Sequence, residues 1–293
     1  NAQFGTTVWT LSNGTKVYLK KTDYMEDEIL LSGQRPGGYY NLSKATPLDL
    51  KILNSVPQVG GLGKFDESAL EKALTGRLAS LSTSVSGIED NVSGSTTKED
   101  LETMLQLLYL NFTGIRADKE AFQAWQERTI SSIEARKANP LSFLADSVSR
   151  FLYPNTPERY PLTIDEVKSV NYDKVLQLFR SRFANARGFN FYFVGNIDEA
   201  KLRPLVEQYI GSLPAQKVYT DKAQTSRVPQ ERLGTNSKEN SSPMATPMGI
   251  VIDALSVPST YSQQELLTGA VLESILDQLY TKTIREDAGG AYS

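Results

Sequence analysis

A stretch in which apolar and polar residues alternate lies between segments of helical pattern and limits the folds that this chain can adopt. Apolar and polar residues alternate through LASLSTSVSGIEDNVSGSTT, residues 78–97, with a turn near Gly87. A period of two is typical of strands that are buried on one face. Helical patterns surround this stretch, and a long one begins at Asp118. We therefore predict an α+β protein in which helices pack on a mostly antiparallel sheet.

Further strands are predicted near both ends of the first 200 residues. TTVWTLSNGTKVYLKK, residues 6–21, indicates two strands joined at Asn13 and Gly14, because Asn-Gly is the strongest short hairpin signal. EILLSGQRPGG, residues 28–38, follows, so we expect three antiparallel strands at the start of the chain. GFNFYFVGNI, residues 188–197, is almost continuously apolar, which predicts a strand that is buried on both faces.

A change of composition predicts the domain organisation. The chain has 293 residues, enough for about two domains. Residues 215–248 contain few aliphatic side chains and many polar, Pro and Gly residues, as is typical of a linker. We predict an α+β domain over residues 1–214, a polar linker over 215–248 and the beginning of a second, similar domain over 249–293.

The second domain is predicted from two segments. MGIVIDALSV, residues 248–257, has the pattern of an apolar strand, and residues 262–284 have that of a long helix. A strand and a single helix cannot bury their apolar faces on each other. We therefore expect this domain to be truncated, with its remainder following Ser293.

The composition excludes several kinds of chemistry. The chain contains neither His nor Cys, so it can supply no imidazole base, no thiolate and no metal ligand of either kind. A reaction would have to depend on carboxylates, Lys, Tyr or Ser. The net charge of −3 gives no general attraction to nucleic acid, and no apolar run reaches the length of a membrane span.

The last residues form a candidate binding site. In TKTIREDAGGAYS a predicted helix carries Arg285, Gly289 and Gly290 allow a sharp turn, and Tyr292 stands at the start of an expected strand. This set of residues could contact a peptide-like ligand. The alternative is a helix C-cap with a surface Arg and a Tyr on a sheet edge.

The order of these features resembles a known family. A hairpin with SNG, then EILLSGQRPGG, a helix-rich middle, VGNID, GSLP, a polar linker and IRED followed by GG and AYS are similar to the pitrilysin and insulin-degrading-enzyme family of zinc peptidases, the inverzincins. The family also contains the mitochondrial processing peptidases. The resemblance covers essentially the whole chain. Its first part looks most like the third of the four related domains in the large bacterial members, and its last part looks like the start of the fourth.

This resemblance implies that the chain is a half without a metal site. Members of the family close two halves over a peptide, and the amino-terminal half carries an H-x-x-E-H zinc motif. The corresponding stretch here, residues 45–65, has no His and no Glu. Ser131 and Ser132 stand where an active half has its third ligand, and Glu127 and Glu134 are interpreted as solvated helix positions. We therefore expect no metal ligand and no catalytic residue in this chain, and zinc only in the complete enzyme.

The resemblance also implies roles for the last residues. In the family the carboxy-terminal half supplies an Arg and a Tyr, seven residues apart at a junction of helix and strand, and Arg285 and Tyr292 have that spacing. Arg285 would donate charge-assisted hydrogen bonds to substrate carbonyls, and Tyr292 would donate to the oxyanion that develops on the attacked peptide carbonyl. Gly289 and Gly290 would support the turn that directs Tyr292.

Two functions are consistent with these implications. The first is the non-catalytic, substrate-binding half of a zinc-dependent metallopeptidase, which works with an H-x-x-E-H half in the same polypeptide or in a separate subunit. The alternative is an inactive homologue that serves as a binding or scaffolding subunit of a heterodimer, with Arg285 and Tyr292 merely structural. We expect a peptide as the partner, no nucleic acid, no membrane span, and the bacterial periplasm or cell envelope rather than the cytoplasm.

Overall fold

The computed structural model describes residues 4–137, 139–243, 249–256 and 262–289. The chain divides into two units. The first comprises Asn1–Arg232 and Ser237–Pro243, and the second comprises Leu233–Asn236 and Met244–Ser293. The domain boundaries drawn from the sequence stay a prediction.

The first unit contains a six-stranded sheet with the order β1-β2-β6-β3-β5-β4. The strands are β1 (Thr7–Thr10), β2 (Lys16–Lys21), β3 (Ile29–Pro36), β4 (Ala79–Val85), β5 (Glu89–Thr96) and β6 (Asn190–Gly195). All neighbouring pairs are antiparallel except β2 and β6. The predicted mostly antiparallel sheet of an α+β protein is confirmed.

The first three strands run antiparallel in turn, as expected, but they are not all neighbours in the sheet. β1 and β2 form the predicted hairpin, but β6 lies between β2 and β3. β3 pairs with β6 on one side and with β5 on the other. The hairpin follows from its local turn residues, whereas the position of β6 depends on contacts between residues far apart in the chain.

The helix predicted from Asp118 and the one predicted within residues 262–284 are both present, with small shifts at their ends. The helices are α1 (Pro47–Ile52), α2 (Glu67–Ala73), α3 (Leu101–Thr113), α4 (Lys119–Lys137), α5 (Pro140–Leu152), α6 (Ile164–Lys168), α7 (Tyr172–Phe183), α8 (Glu199–Tyr209) and α9 (Gln263–Tyr280). Asp66 accepts a hydrogen bond from the backbone amide of Ala69, and Asp198 accepts from that of Ala200. These carboxylates satisfy amides that have no partner inside the helix, which sets where α2 and α8 begin.

Among the described residues of the first unit, helices cover one face of the sheet and leave the other open. Along β3 the buried residues alternate with exposed ones, and Ile29 and Leu31 point into the core. Phe112 of α3 packs edge-on against Phe183 and Phe189, with ring centroids 5.4 and 5.2 Å apart. The core therefore lies between the sheet and the helices α3, α7 and α8.

β6 is central in the sheet but is buried on one face, not on both as its apolar sequence suggested. Phe191 and Phe193 are fully buried, whereas Tyr192 is half-buried on the open face. Tyr192 stacks on Tyr18 of the neighbouring strand, with ring centroids 4.8 Å apart. Phenylalanines alternate here with Asn190 and Tyr192, whose polar groups can remain hydrated.

The hairpin turn is attached to the end of α8. Asn13 Nδ2 donates a hydrogen bond to the carbonyl of Ile210 at 2.7 Å, and Asn13 Oδ1 accepts from the Thr15 hydroxyl at 2.8 Å. The SNG turn thus supplies a partner for a carbonyl at the helix end, just before the GSLP segment. Two short motifs that are about 200 residues apart in sequence meet at this point.

The second unit consists, in its described residues, of a segment without regular structure and a long helix. Residues 249–256 form no strand, which contradicts the expected strand, and Val251 and Leu255 are 86% and 91% exposed. A strand requires a hydrogen-bonded neighbour, and no pairing partner occurs among the described residues. The helix α9 begins after Ser262, whose side chain accepts from Glu265 N. None of the described helices combines the length and apolarity needed to cross a bilayer.

Candidate functional site

Arg285 lies on an unusual helical segment at the end of α9. Residues Thr281–Asp287 form a π-helix, in which the backbone hydrogen bonds span one residue more than in an α-helix. π-helical turns are rare and occur frequently at functional sites. Arg285 is exposed on this segment.

The turn predicted after the helix is described only in part. Gly289 has φ 59°, the left-handed conformation that favours glycine, and a Cβ placed there would meet no atom within 4 Å. Its conformation is typical of the residue that follows a helix end. Gly290 and Tyr292 lie outside the described residues.

The segment that would carry a zinc motif in an active half carries an ion pair instead. Asp49 lies in the first turn of α1 and forms a capping box with Thr46. Its carboxylate is 2.5 Å from Lys174 Nζ on α7, and Asp49 is 4% exposed. Burial opposes ionisation of Asp49, but hydrogen bonds from Lys174 and Thr46 outweigh it and hold the pKa of the carboxyl below its usual value.

A second pair lies on the same helix. Lys51 Nζ is 2.6 Å from Glu166 Oε1, and the Lys51 side chain is 6% exposed. Burial of Glu166 is again outweighed by hydrogen bonds from Lys51 and Thr163, which lower the pKa of Glu166. Both carboxylates near α1 are therefore engaged by lysines, whose positive charge would repel a cation.

The residues around α1 and α4 do not fit a zinc ion. Ser131, Ser132, Glu127 and Glu134 are all exposed on α4. Within the described ranges, no three acidic side chains come close enough to hold a metal. No step of a reaction can be derived through zinc bound by this chain.

A buried ionic cluster was not anticipated from the sequence. Arg35 on β3 donates to Asp90 Oδ2 on β5 through both Nε, at 2.9 Å, and Nη2, at 2.6 Å. Arg182 on α7 donates to the same carboxylate, from Nε to Oδ1 at 2.9 Å and from Nη2 to Oδ2 at 2.8 Å. The sequence does contain one indication of this cluster. Arg35 lies on the same face of β3 as the core residues Ile29 and Leu31, where a charged side chain is unexpected.

Part of the predicted linker also contacts this cluster. Arg182 Nη1 donates to Asp221 Oδ2 at 2.6 Å, and the Tyr219 hydroxyl donates to the carbonyl of Pro36 at 2.8 Å. The polar composition of residues 215–248 gave no sign of these contacts. Both contacts join a residue of the predicted linker to a residue that is far away in the sequence.

Comparison with known proteins gives a consistent result for sequence and fold. Residues 169–293 match the family described as the Peptidase M16 inactive domain. The zinc protease PQQL-like of Arabidopsis thaliana is 28% identical over 213 residues, which cover 72% of this chain and 20% of that protein. The probable zinc protease PqqL of Escherichia coli is 22% identical over 291 residues, which cover 97% of this chain and 30% of that protein.

A solved structure shows the same fold. The periplasmic protease PqqL from Escherichia coli superimposes with a TM-score of 0.62 at 20% sequence identity, over 78% of this chain and 25% of that chain. The chain thus spans 20% to 30% of the length of these curated relatives. The relatives are consistent with the family resemblance drawn from the sequence.

Proposed function

We propose that this chain, whose residues 169–293 match the Peptidase M16 inactive domain and which is similar to zinc-protease-like proteins, forms the substrate-binding half of a zinc-dependent peptidase. In this proposal the chain holds a peptide against a metal site that lies on another half. Its own residues supply no metal ligand. They bind the peptide backbone and stabilise charge that develops on it.

The observation that carries the proposal is the position of Arg285. It lies on the π-helix Thr281–Asp287, exposed, four residues before a glycine in the left-handed conformation. Tyr292 follows seven residues after Arg285 in the sequence. A rare backbone form that presents a cation next to a tight turn supports a binding role over a simple helix end.

Each of the two side chains would have a distinct role. The guanidinium of Arg285 has five N–H donors in a fixed plane, and it would hold the carbonyl oxygens of an extended peptide. The hydroxyl of Tyr292 would donate to the oxygen of the attacked carbonyl, where negative charge develops. Gly289 and Gly290 would direct the chain so that both donors reach one peptide.

The proposal includes a partner and a compartment. The partner is an H-x-x-E-H half, in the same polypeptide or in a separate subunit, and that half would hold the zinc ion that polarises the scissile carbonyl. The substrate is a peptide. We place the protein in the bacterial periplasm or cell envelope, which is supported by the periplasmic origin of the Escherichia coli relative.

The test is made in the complete protein with both halves present. Arg285→Ala and Tyr292→Phe are compared with the parent by steady-state hydrolysis of a peptide, and the zinc content of each is measured. Lys282→Ala is the matched control, because Lys282 is an exposed cation on the same π-helix. We expect kcat to fall roughly tenfold to a thousandfold in both variants at unchanged zinc content, and the control to remain at parent activity.

Parent-like turnover of both variants would remove the assignment of Arg285 and Tyr292. It would favour the alternative of an inactive scaffolding subunit. Loss of activity together with loss of zinc would instead point to misfolding of the complete protein, and Arg285→Lys would then decide. Lys keeps the charge but not the planar pair of donors, so a binding role predicts a partial loss with that variant.

A further inference from the structure

Residues 216–232, which we call the arm, follow the surface of the first unit over their whole length. At the start of the arm Arg187 Nε donates to the carbonyl of Gln216 at 2.6 Å. At its end the amide of Arg232 donates to the carbonyl of Leu152 at 2.7 Å. Between these points the arm has one short 3₁₀ turn, Thr225–Arg227, and no strand pairing within its described residues. Side-chain contacts and isolated hydrogen bonds, not a backbone ladder, therefore hold the arm.

The central attachment of the arm is Tyr219. Its ring lies against the guanidinium of Arg35, with 4.2 Å between the Arg35 Cζ and the ring centroid. Its hydroxyl donates to the carbonyl of Pro36 at 2.8 Å and accepts from Arg182 Nη2 at 3.0 Å. A ring on a guanidinium together with two hydrogen bonds fixes both the position and the rotation of this side chain.

Two glycines leave the space that Tyr219 occupies. A Cβ at Gly188 would lie 2.9 Å from Tyr219 Cδ1, and one at Gly37 would collide with the Tyr219 hydroxyl. Both glycines have positive φ, 152° at Gly37 and 88° at Gly188. The first unit thus contains a slot that matches a tyrosine side chain.

Asp221 completes the charge of the cluster beneath the slot. Arg35 and Arg182 share the single carboxylate of Asp90, and all three side chains are nearly or fully buried. Two cations and one anion leave an excess positive charge, which is costly in a buried site. Asp221 supplies the second carboxylate, 2.6 Å from Arg182 Nη1. The buried cluster is therefore neutral only when the arm is docked.

We propose that the arm is a latched segment of the first unit, with Tyr219 and Asp221 as its latch. While it is latched, residues 216–232 stay at one place on the unit. When these contacts break, residues 217–221 become a short flexible loop, while Gln216 stays bonded to Arg187, Arg227 to the carbonyl of Tyr40 and Glu231 to the hydroxyl of Tyr153. This proposal is independent of the substrate-binding role.

The absence of cysteine makes a direct test possible. The chain contains no Cys, so a single Cys can be introduced and labelled with a nitroxide. Val218→Cys places the label beside Tyr219 at a side chain that is 63% exposed. Ser82→Cys places a reference label on an exposed position of β4. Label mobility is read from the electron paramagnetic resonance spectrum of the whole chain.

We expect a restricted label at 218 that becomes several-fold faster with Tyr219→Ala or Asp221→Asn. Losing the ring contact and two hydrogen bonds should shift the docking equilibrium by roughly ten- to a hundredfold. Thr220→Ala is the matched control, because Thr220 is an exposed neighbour in the arm and its substitution should leave the spectrum unchanged. Tyr219→Phe should give an intermediate mobility, since it keeps the ring on Arg35.

Two results would overturn the proposal. The first is a freely mobile label at 218 in the parent. The second is an unchanged spectrum with both Tyr219→Ala and Asp221→Asn. If Tyr219→Ala also mobilises the reference label at 82, the variant has lost its fold, and Asp221→Asn, which keeps the shape of the side chain, decides alone.

Discussion

The guanidinium of Arg35 and the carboxylate of Asp90 form an ion pair inside the first unit, with Nη2 2.6 Å from Oδ2 and side chains that are 1% and 0% exposed. Arg182 adds a second cation to the same carboxylate. Among the described residues no buried side-chain nitrogen or oxygen atom lacks a hydrogen-bond partner. Removing one member of such a cluster leaves a buried charge that nothing compensates.

Replacement of Asp90 is therefore expected to be strongly destabilising. Asp90→Asn leaves Arg35 and Arg182 without a counter-ion in the sheet, and it should lower the free energy of unfolding by about 3–5 kcal/mol. Urea unfolding followed by circular dichroism measures the change. Glu71→Gln, at an exposed carboxylate on α2, is the control and should alter stability by less than about 0.5 kcal/mol. A similar, small effect of both variants would contradict the structural role of the cluster.

The pair of Asp49 and Lys174 predicts a pH-dependent contribution to stability. The pKa of Asp49 is lower in the folded protein than in the unfolded chain, so the pair stabilises the fold above about pH 4. This contribution is lost as the pH falls through the lowered pKa. Lys174→Met should cost about 1–3 kcal/mol at neutral pH and progressively less as the pH falls below about 4. Urea midpoints of parent and variant, measured at neutral pH and at a series of acidic pH values, give the difference.

A surface pair serves as the control for that measurement. Lys119 and Asp173 are 3.9 Å apart, and both side chains are largely exposed. Lys119→Met should change stability by no more than about 0.5 kcal/mol at any of these pH values, because water screens an exposed pair. An equal pH dependence in Lys119→Met and Lys174→Met would show that general charge effects, rather than the buried pair, are responsible.

We expect that adding a single methyl group at Gly38, in the turn after β3, strongly lowers the stability of the fold. Gly38 has φ 73° and ψ −177°, a combination that is essentially restricted to glycine, and a Cβ there would lie 2.5 Å from the amide nitrogen of Glu89. Gly38→Ala should cost more than about 2 kcal/mol in the free energy of unfolding. Gly76→Ala is the control, because Gly76 also has positive φ but has no neighbour within 4 Å of a Cβ. Equal losses of stability in Gly38→Ala and Gly76→Ala would contradict a role for the steric contact, and would mean that the positive φ alone determines the cost.

Local features of the fold were predictable from the sequence because each depends on a few adjacent residues. Asn13 and Gly14 specify the first hairpin, and Asp66 and Asp198 specify where two helices begin. The position of β6 between β2 and β3 was not predictable, because sheet order depends on packing between distant segments. The open face of β6 was missed although Asn190 and Tyr192 alternate with phenylalanine, since the overall apolarity of the segment hid the period of two.

The candidate site was predictable to a smaller extent. The sequence indicates a helix that carries Arg285 and a glycine turn after it, and the structure describes both through Gly289. It gives no sign of the π-helix, because sequence periodicity over seven residues does not separate the two helix types. Asp90 lies 55 residues from Arg35 and 92 from Arg182, so their meeting depends on the completed sheet. The described part of the strand expected over residues 248–257, residues 249–256, forms no strand, because an apolar pattern by itself provides no pairing partner.

We propose that this chain is the half of a zinc peptidase that binds substrate and carries no metal site. Its most direct test is the zinc content and peptidase activity of the purified chain, measured with and without a chelator and beside the complete protein. We predict no stoichiometric zinc and no chelator-sensitive hydrolysis in the chain alone, because it has no His or Cys and its carboxylates near α1 are paired with lysines. One equivalent of zinc in the chain, together with peptide cleavage that the chelator abolishes, would contradict this proposal.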